Sequence, residues 1–302
     1  MLETEFCGLK LKNPTVLASG ILGTNAALLK RVVREGAGAV TMKSIGPREK
    51  LGHPNPTVIE WEHGLINAVG LPSPGYQNIE SEFAELKNCS APIIASIYGA
   101  SVEEFETVAE AVAEYKPAII EINISCPNTK KEGQIFGMSP EMATDVVSAV
   151  VAKTGKIPVM PKLTPQAPKI ADIAVACEKA GANAICAVNT LGPGMLIDIE
   201  ARKPILANKF GGVSGPAIKP IAVRCVYQIY RAVSIPILGM GGINSGKDAV
   251  EMMMAGASAV GIGTATHYRG IEAFKLIADE IKQWMKEHEV KSVKDLVGAA
   301  HD

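Results

Sequence analysis

Eight short apolar runs alternate with stretches of helical periodicity along this chain, and that rhythm restricts its fold more than any other feature. The runs are VLASG (16–20), AVTMKS (39–44), PIIASI (92–97), AIIEINIS (118–125), PVMPKL (158–163), AICAVNT (184–190), PILGMGG (236–242) and AVGIGTA (259–265). Strands that alternate with helices build βαβ units around a parallel sheet. Eight near-even units favour closure into a parallel (β/α)8 barrel, the TIM barrel, over an open doubly wound sheet. The chain has 302 residues, and such barrels run to about 250 residues plus insertions. Residues 1–302 are therefore expected to form a single barrel domain.

The connecting stretches carry helix signals. Ser101 and Glu104 have capping-box spacing ahead of Val102, Phe105, Val108, Ala109 and Val112, which share one face. Ser139 followed by Pro140 places a capping hydroxyl and a first-turn proline before the next helix. Near the end, Phe274, Ile277, Ile281 and Trp284 form one stripe suited to covering a barrel strand. Two intervals, 45–77 and 191–216, exceed a simple connection and are rich in Gly, Pro and Asn. Long loops of that kind in a compact domain usually serve as lids or binding loops.

A net charge of −1 and a charged fraction of 20% provide no field for nucleic acid or an anionic membrane. The N-terminus lacks the basic and apolar regions of a signal peptide, and no apolar run reaches the roughly 18 residues of a membrane span. A cytoplasmic location with no membrane and no nucleic-acid partner is expected. Cysteines at 7, 89, 126, 177, 186 and 225 show no CxxC pair and no zinc or iron-sulfur spacing, so no metal site is expected.

Active sites of β/α barrels lie at the C-terminal strand ends. Here those ends are polar or glycine-rich: Ser19 and Gly20, Lys43 and Ser44, Ser96, Asn123 and Ser125, Lys162, Asn189 and Thr190, Gly241 and Gly242, then Gly261, Gly263 and Thr264. The last two sets stand where barrel enzymes commonly hold phosphate; tight turns are the other use of such glycines. Lys43 and Lys162 would enter one cavity, to meet an anion, to form a Schiff base, or to snorkel as structural lysines. Cys126 follows the fourth strand in NISCPNTKKEGQIFG (123–137), where a thiol would face ligand. None of the five histidines is near it in sequence, so proton transfer is at least as plausible a role as hydrolytic attack.

With these residues in place, NISCPN (123–128), NAVGLPSPG (67–75), KFGGVSGPAIKP (209–220), GMGGI (239–243) and GIGTA (261–265) resemble the class 1 dihydroorotate dehydrogenases over almost the whole chain. The resemblance implies FMN at the barrel mouth, contacted by Ser19, Lys43, Ser44, Ser96, Asn123, Lys162, Val188, Gly215, Gly241, Gly242, Gly263 and Thr264. It implies dihydroorotate beneath the flavin, held by Lys43, Asn67, Ala68, Val69, Gly70, Leu71, Asn123, Asn189 and Thr190, with Cys126 as catalytic base. Amide side chains suit the alternating N–H and C=O groups of a pyrimidine, and Lys43 suits its carboxylate. Lys162 would stabilise the negative charge arriving on the flavin.

The segments TKKEGQIFG (129–137) and IDIEARKPILANKFGGVSG (197–215) resemble the NAD-dependent 1B type. That implies a heterotetramer of two catalytic chains and two electron-transfer subunits carrying FAD and a [2Fe-2S] cluster. This chain departs from the family's usual pattern at strand three, reading IASIYG where a run like IANVAG is usual, so Ser96 replaces an Asn and Tyr98 stands beside it. A serine is shorter and has one donor, so the contact to FMN there is lost or water-bridged. The competing readings are a fumarate-dependent 1A-like enzyme, a flavoenzyme for another dihydropyrimidine, a flavin-free aldolase or isomerase using Lys162 or Lys43, and a non-catalytic binding protein.

Overall fold

The computed structural model describes residues 1–125 and 136–301. Eight parallel strands close into a barrel in chain order: β1 (Thr15–Leu17), β2 (Ala39–Thr41), β3 (Ile93–Ile97), β4 (Ile119–Asn123), β5 (Val159–Leu163), β6 (Ile185–Ala187), β7 (Ile237–Met240) and β8 (Ala259–Ile262). The seam closes where Val260 pairs with Thr15. Seven of the eight apolar runs contain one of these strands whole, and the first overlaps β1, which starts one residue earlier at Thr15. Several runs outlast the hydrogen-bonded ladder, however, because their last residues leave the sheet to form the barrel mouth.

Strands buried on both faces need no polar alternation. The inner faces pack Val16, Ile94, Ile119, Met160, Cys186 and Leu238 along the axis. Phe6 and Leu11 join that cluster from an antiparallel ribbon, Thr4–Phe6 with Leu9–Leu11, which plugs the N-terminal end. The outer faces join the helices in a larger core.

Helices α1 (Ala26–Arg34), α2 (Glu80–Leu86), α3 (Val102–Ala113), α4 (Pro140–Thr154), α5 (Ile170–Lys179), α6 (Lys219–Tyr230), α7 (Gly246–Met254), α8 (Ala265–Arg269) and α9 (Ala273–Glu287) surround the strands. Ser101 caps α3 by accepting from the Glu104 N–H at 3.3 Å, but the Glu104 carboxylate accepts from Ala100 rather than from Ser101. The box is thus shifted by one residue. Ser139 caps α4 with Pro140 in the first turn. Phe274, Ile277 and Ile281 of α9 are fully buried against α7 and β1, while Trp284 is half-buried and stacks on His288.

The two long intervals are not structureless loops. Val58–Trp61 and Gly64–Asn67 from the first join Leu191–Gly194 and Gly211–Ser214 from the second in one antiparallel sheet, with Gly212 opposite Asn67 and Ser214 opposite Leu65. Val58–Trp61 and Gly64–Asn67 form a local hairpin, but the sheet is completed by Gly-rich strands from far along the chain, a pairing that no local alternation announces. Ile66, Ala68 and Leu206 form a small core beneath this sheet, with Trp61 and Val213 packed on it.

Candidate active site

A cavity of about 430 Å³ opens at the C-terminal ends of the barrel strands, roofed by the inserted sheet. That volume is in the range of small-molecule sites. Its walls bring together Ser19, Lys43, Ser44, Asn67, Ala68, Val69, Gly70, Leu71, Asn123, Lys162, Val188, Asn189, Thr190, Gly215, Gly241, Gly242, Gly263 and Thr264. Every described residue singled out as a contact is therefore at the wall except Ser96. Cys126 lies outside the described residues.

Ser96 points into the barrel but stops short of the cavity, with no exposed surface. Its hydroxyl lies 2.9 Å from that of Ser44, which in turn lies 3.3 Å from that of Ser19. Among the described residues Ser96 is thus the expected contact that does not reach the wall, and its hydroxyl stands behind Ser44.

One wall is an amide network. Asn123 Oδ1 accepts from the Ser125 hydroxyl at 3.0 Å, and Ser125 Oγ accepts from Asn189 Nδ2. Asn189 Oδ1 accepts from the Thr190 N–H at 2.8 Å. With its oxygen engaged, Asn123 has its amide N–H groups to offer the cavity. Asn67 is arranged the other way: Nδ2 donates to the Gly212 carbonyl at 3.3 Å, so its oxygen is available as an acceptor. Ser125 was visible as a strand end, but its function as the link between two amides was not.

The opposite wall is built from glycine. Gly241 and Gly242 have φ of +123° and +77°, and a Cβ on Gly242 would sit 2.5 Å from Lys219 Cβ. Only glycine lets that turn run flat against α6. The Thr264 hydroxyl donates to Ser214 Oγ at 2.9 Å, tying the loop after β8 to the inserted sheet. Asn244, Gln166 and Ser214 also line the cavity and were missed from sequence. Asn244 Oδ1 is buried with no hydrogen-bond partner among the described residues, and nothing in a lone Asn after GMGGI signals that.

Two lysines border the space. Lys162, on β5, is 5% exposed. Lys43 places its Nζ 3.8 Å from where a Cβ on Gly20 would stand. Among the described residues no histidine lines the cavity, and no cluster of metal-ligating side chains occurs. The described cysteines are off the wall too, and burial pushes the thiols of Cys7 and Cys177 up to about 12.

Fold and cavity together define a β/α-barrel enzyme whose polar groups are gathered at the strand ends. The dihydroorotate dehydrogenase family model matches residues 1–285, and the chain belongs to this family. It is 49% identical over 306 residues to the dihydroorotate dehydrogenase B (NAD(+)) catalytic subunit of Methanocaldococcus jannaschii, covering 100% of this chain and 99% of that protein. The subunits of the same name from Methanothermobacter thermautotrophicus and Pyrococcus abyssi are 48% and 47% identical, covering 100% and 99% of this chain and 99% of each relative. The solved structure of DHODH from Eimeria tenella in complex with ferulenol superposes with a TM-score of 0.84 at 22% identity, over 99% of this chain and 88% of that one. It shares the barrel fold. No described helix is long and apolar enough to cross a membrane.

Proposed function

We propose that this chain oxidises dihydroorotate to orotate, with FMN in the glycine-walled half of the cavity and Cys126 as the base. The observation that carries this reading is the pairing, in one cavity, of an amide wall with a glycine-and-lysine wall. The wall residues fit FMN: the turn at Gly241 and Gly242 packs flat on α6, where a Cβ would collide, and leaves bare backbone at the cavity wall, and Asn244 Oδ1 is a buried acceptor suited to a hydroxyl-bearing ligand. FMN, when bound, supplies the hydride acceptor.

The chain's own residues do the rest. Asn67 offers an acceptor, and Asn123 offers donors, to the edge of a pyrimidine. Lys43 meets the substrate carboxylate, and Lys162 offsets negative charge at the flavin ring. Cys126, beside the amide wall in sequence, takes the proton from carbon 5; its thiol is carried here by the ISCPN resemblance. Ser96 contributes through Ser44 rather than by touching the cofactor.

The electrons continue to NAD through a second subunit holding FAD and a [2Fe-2S] cluster, in an assembly of two catalytic and two electron-transfer chains. The names of the curated relatives support this over a fumarate-linked enzyme. So do the exposed apolar residues of the second insertion, Ile197, Ile199 and Phe210, which suit a protein partner.

The test is the visible spectrum of the purified chain, recorded anaerobically before and after dihydroorotate, for the wild type and Cys126→Ala. Flavin bands that bleach in the wild type and persist in the variant are expected. Absence of flavin, or a flavin indifferent to dihydroorotate, overturns the reading.

A further inference from the structure

The barrel axis beneath the cavity contains a carboxylate that the mechanism does not use. In the β4–β5 register Glu121 stands opposite Met160 and Asn123 opposite Lys162. Alternate residues share a face, so Glu121 and Lys162 both face the axis, with Glu121 one layer deeper. They are diagonal neighbours on adjacent strands, close enough for a long side chain to act across. Glu121 is wholly buried, and its oxygens have no close hydrogen-bond partner among the described residues; the Cys186 thiol makes a weak one to the carboxylate. The Thr41 hydroxyl also has no hydrogen-bond partner among the described residues.

An uncompensated buried carboxylate is among the costliest groups a fold can retain. The neighbouring thiol reports the local field. Burial raises Cys186 well above its ordinary range, the Glu121 charge raises it further, and the Lys162 charge pulls it down. Glu121 and Lys162 thus act on the same buried space from two sides, with a neutral thiol beside them.

We propose that Glu121 is a positioning residue for Lys162. Its carboxylate is the fixed counter-charge below the lysine, holding the ammonium at the cavity floor and limiting how much positive charge reaches the flavin ring above. The flavin part of this inference rests on the function proposed above; the pairing of the two side chains does not.

The experiment uses sulfite, which bleaches bound flavin more readily as positive charge beside the ring increases. On FMN-loaded protein, Glu121→Gln should tighten sulfite binding about tenfold, and Lys162→Met should weaken it about tenfold, the scale of a coupled charge pair. The double variant should match Lys162→Met to within about twofold, the scatter of uncoupled sites. Wild-type sulfite affinity in Glu121→Gln, or additive effects in the double variant, overturns the proposal.

Thermal unfolding without added flavin gives a second readout, which serves if Glu121→Gln alone fails to fold. Lys162→Met should lower Tm by leaving Glu121 without its counter-charge, and adding Glu121→Gln should restore most of the loss. No restoration overturns the pairing. Restoration in a chain that takes up no FMN supports the pairing and instead sinks the proposed function.

Discussion

The hydroxyl of Tyr98 donates to the carbonyl oxygen of Leu71 at 3.1 Å, joining the end of β3 to the last residue of the segment from Asn67 to Leu71. The hydroxyl end of the ring packs against Gly46, where an added Cβ would come within 2.3 Å of it. Leu71 itself has a φ of +54°, a conformation a branched residue adopts only when its surroundings hold it there. Tyr98 is one of the groups that hold it.

Tyr98→Phe retains the ring and loses the bond. It is expected to raise the KM for dihydroorotate about fivefold, the equivalent of about 1 kcal/mol, while kcat changes little. Steady-state kinetics check this; a KM equal to wild type would show that the segment is held without Tyr98.

Gly242→Ala brings a Cβ against Lys219 at a residue whose φ is +77°. Strain and clash together are expected to cost about 2–4 kcal/mol and to displace the turn from the cavity wall. Fluorescence titration of the flavin-free chain with FMN should show binding at least an order of magnitude weaker. Retained affinity would mean that the flat turn is not a cofactor wall.

Ser96→Ala removes the hydroxyl behind Ser44 without opening a large space. Flavin binding should weaken about threefold to tenfold, since one neutral hydrogen bond is at stake, and Ser44→Ala should add little on top. Full additivity of the two changes in the same titration would refute support through Ser44.

Lys219 donates to Asp248 at 2.7 Å and also pairs with Glu251. Burial pushes the Asp248 carboxyl up, but the hydrogen bonds from Lys219, Ser245 and the Asn244 N–H outweigh it and hold the group below the ordinary aspartate range. Hydrogen bonds to Asp248 and Glu251 raise Lys219. A depressed carboxyl stabilises the fold above its unfolded pKa and loses that contribution as pH falls through the folded value. A raised lysine stabilises below its unfolded pKa and loses its contribution as pH rises through the folded value. Lys219→Met should therefore cost about 1 kcal/mol between about pH 5 and about pH 9, with the gap to wild type closing toward pH 3. Chemical denaturation across that range is the check; a gap that widens on acidification contradicts the sign.

How much of this was legible in the sequence depends on whether a signal was local. The barrel was, because each strand buries both faces and reads as a continuous apolar run next to its own helix. The polar strand ends were legible for the same reason, since a break in such a run marks the mouth. The inserted sheet was not: Gly211–Ser214 becomes a strand because Leu191–Gly194 and Leu65–Asn67 lie on either side of it. Ser96 was recognised as a departure whose contact is lost or water-bridged, but its place behind Ser44 was not legible. Glu121 sat within the fourth run, AIIEINIS, as an acid in an apolar stretch, and its burial became evident only when the register placed it beneath Lys162.

The inserted sheet also decides how this protein can be recombined with its relatives. Residues near 65 and near 213 share a ladder, so a length change in either insertion changes the register of both. The two segments form one exchangeable cassette although nearly half of the chain separates them. A chimera that takes one of them from a relative inherits a mismatched seam above the cavity, whereas one that takes both receives an intact roof.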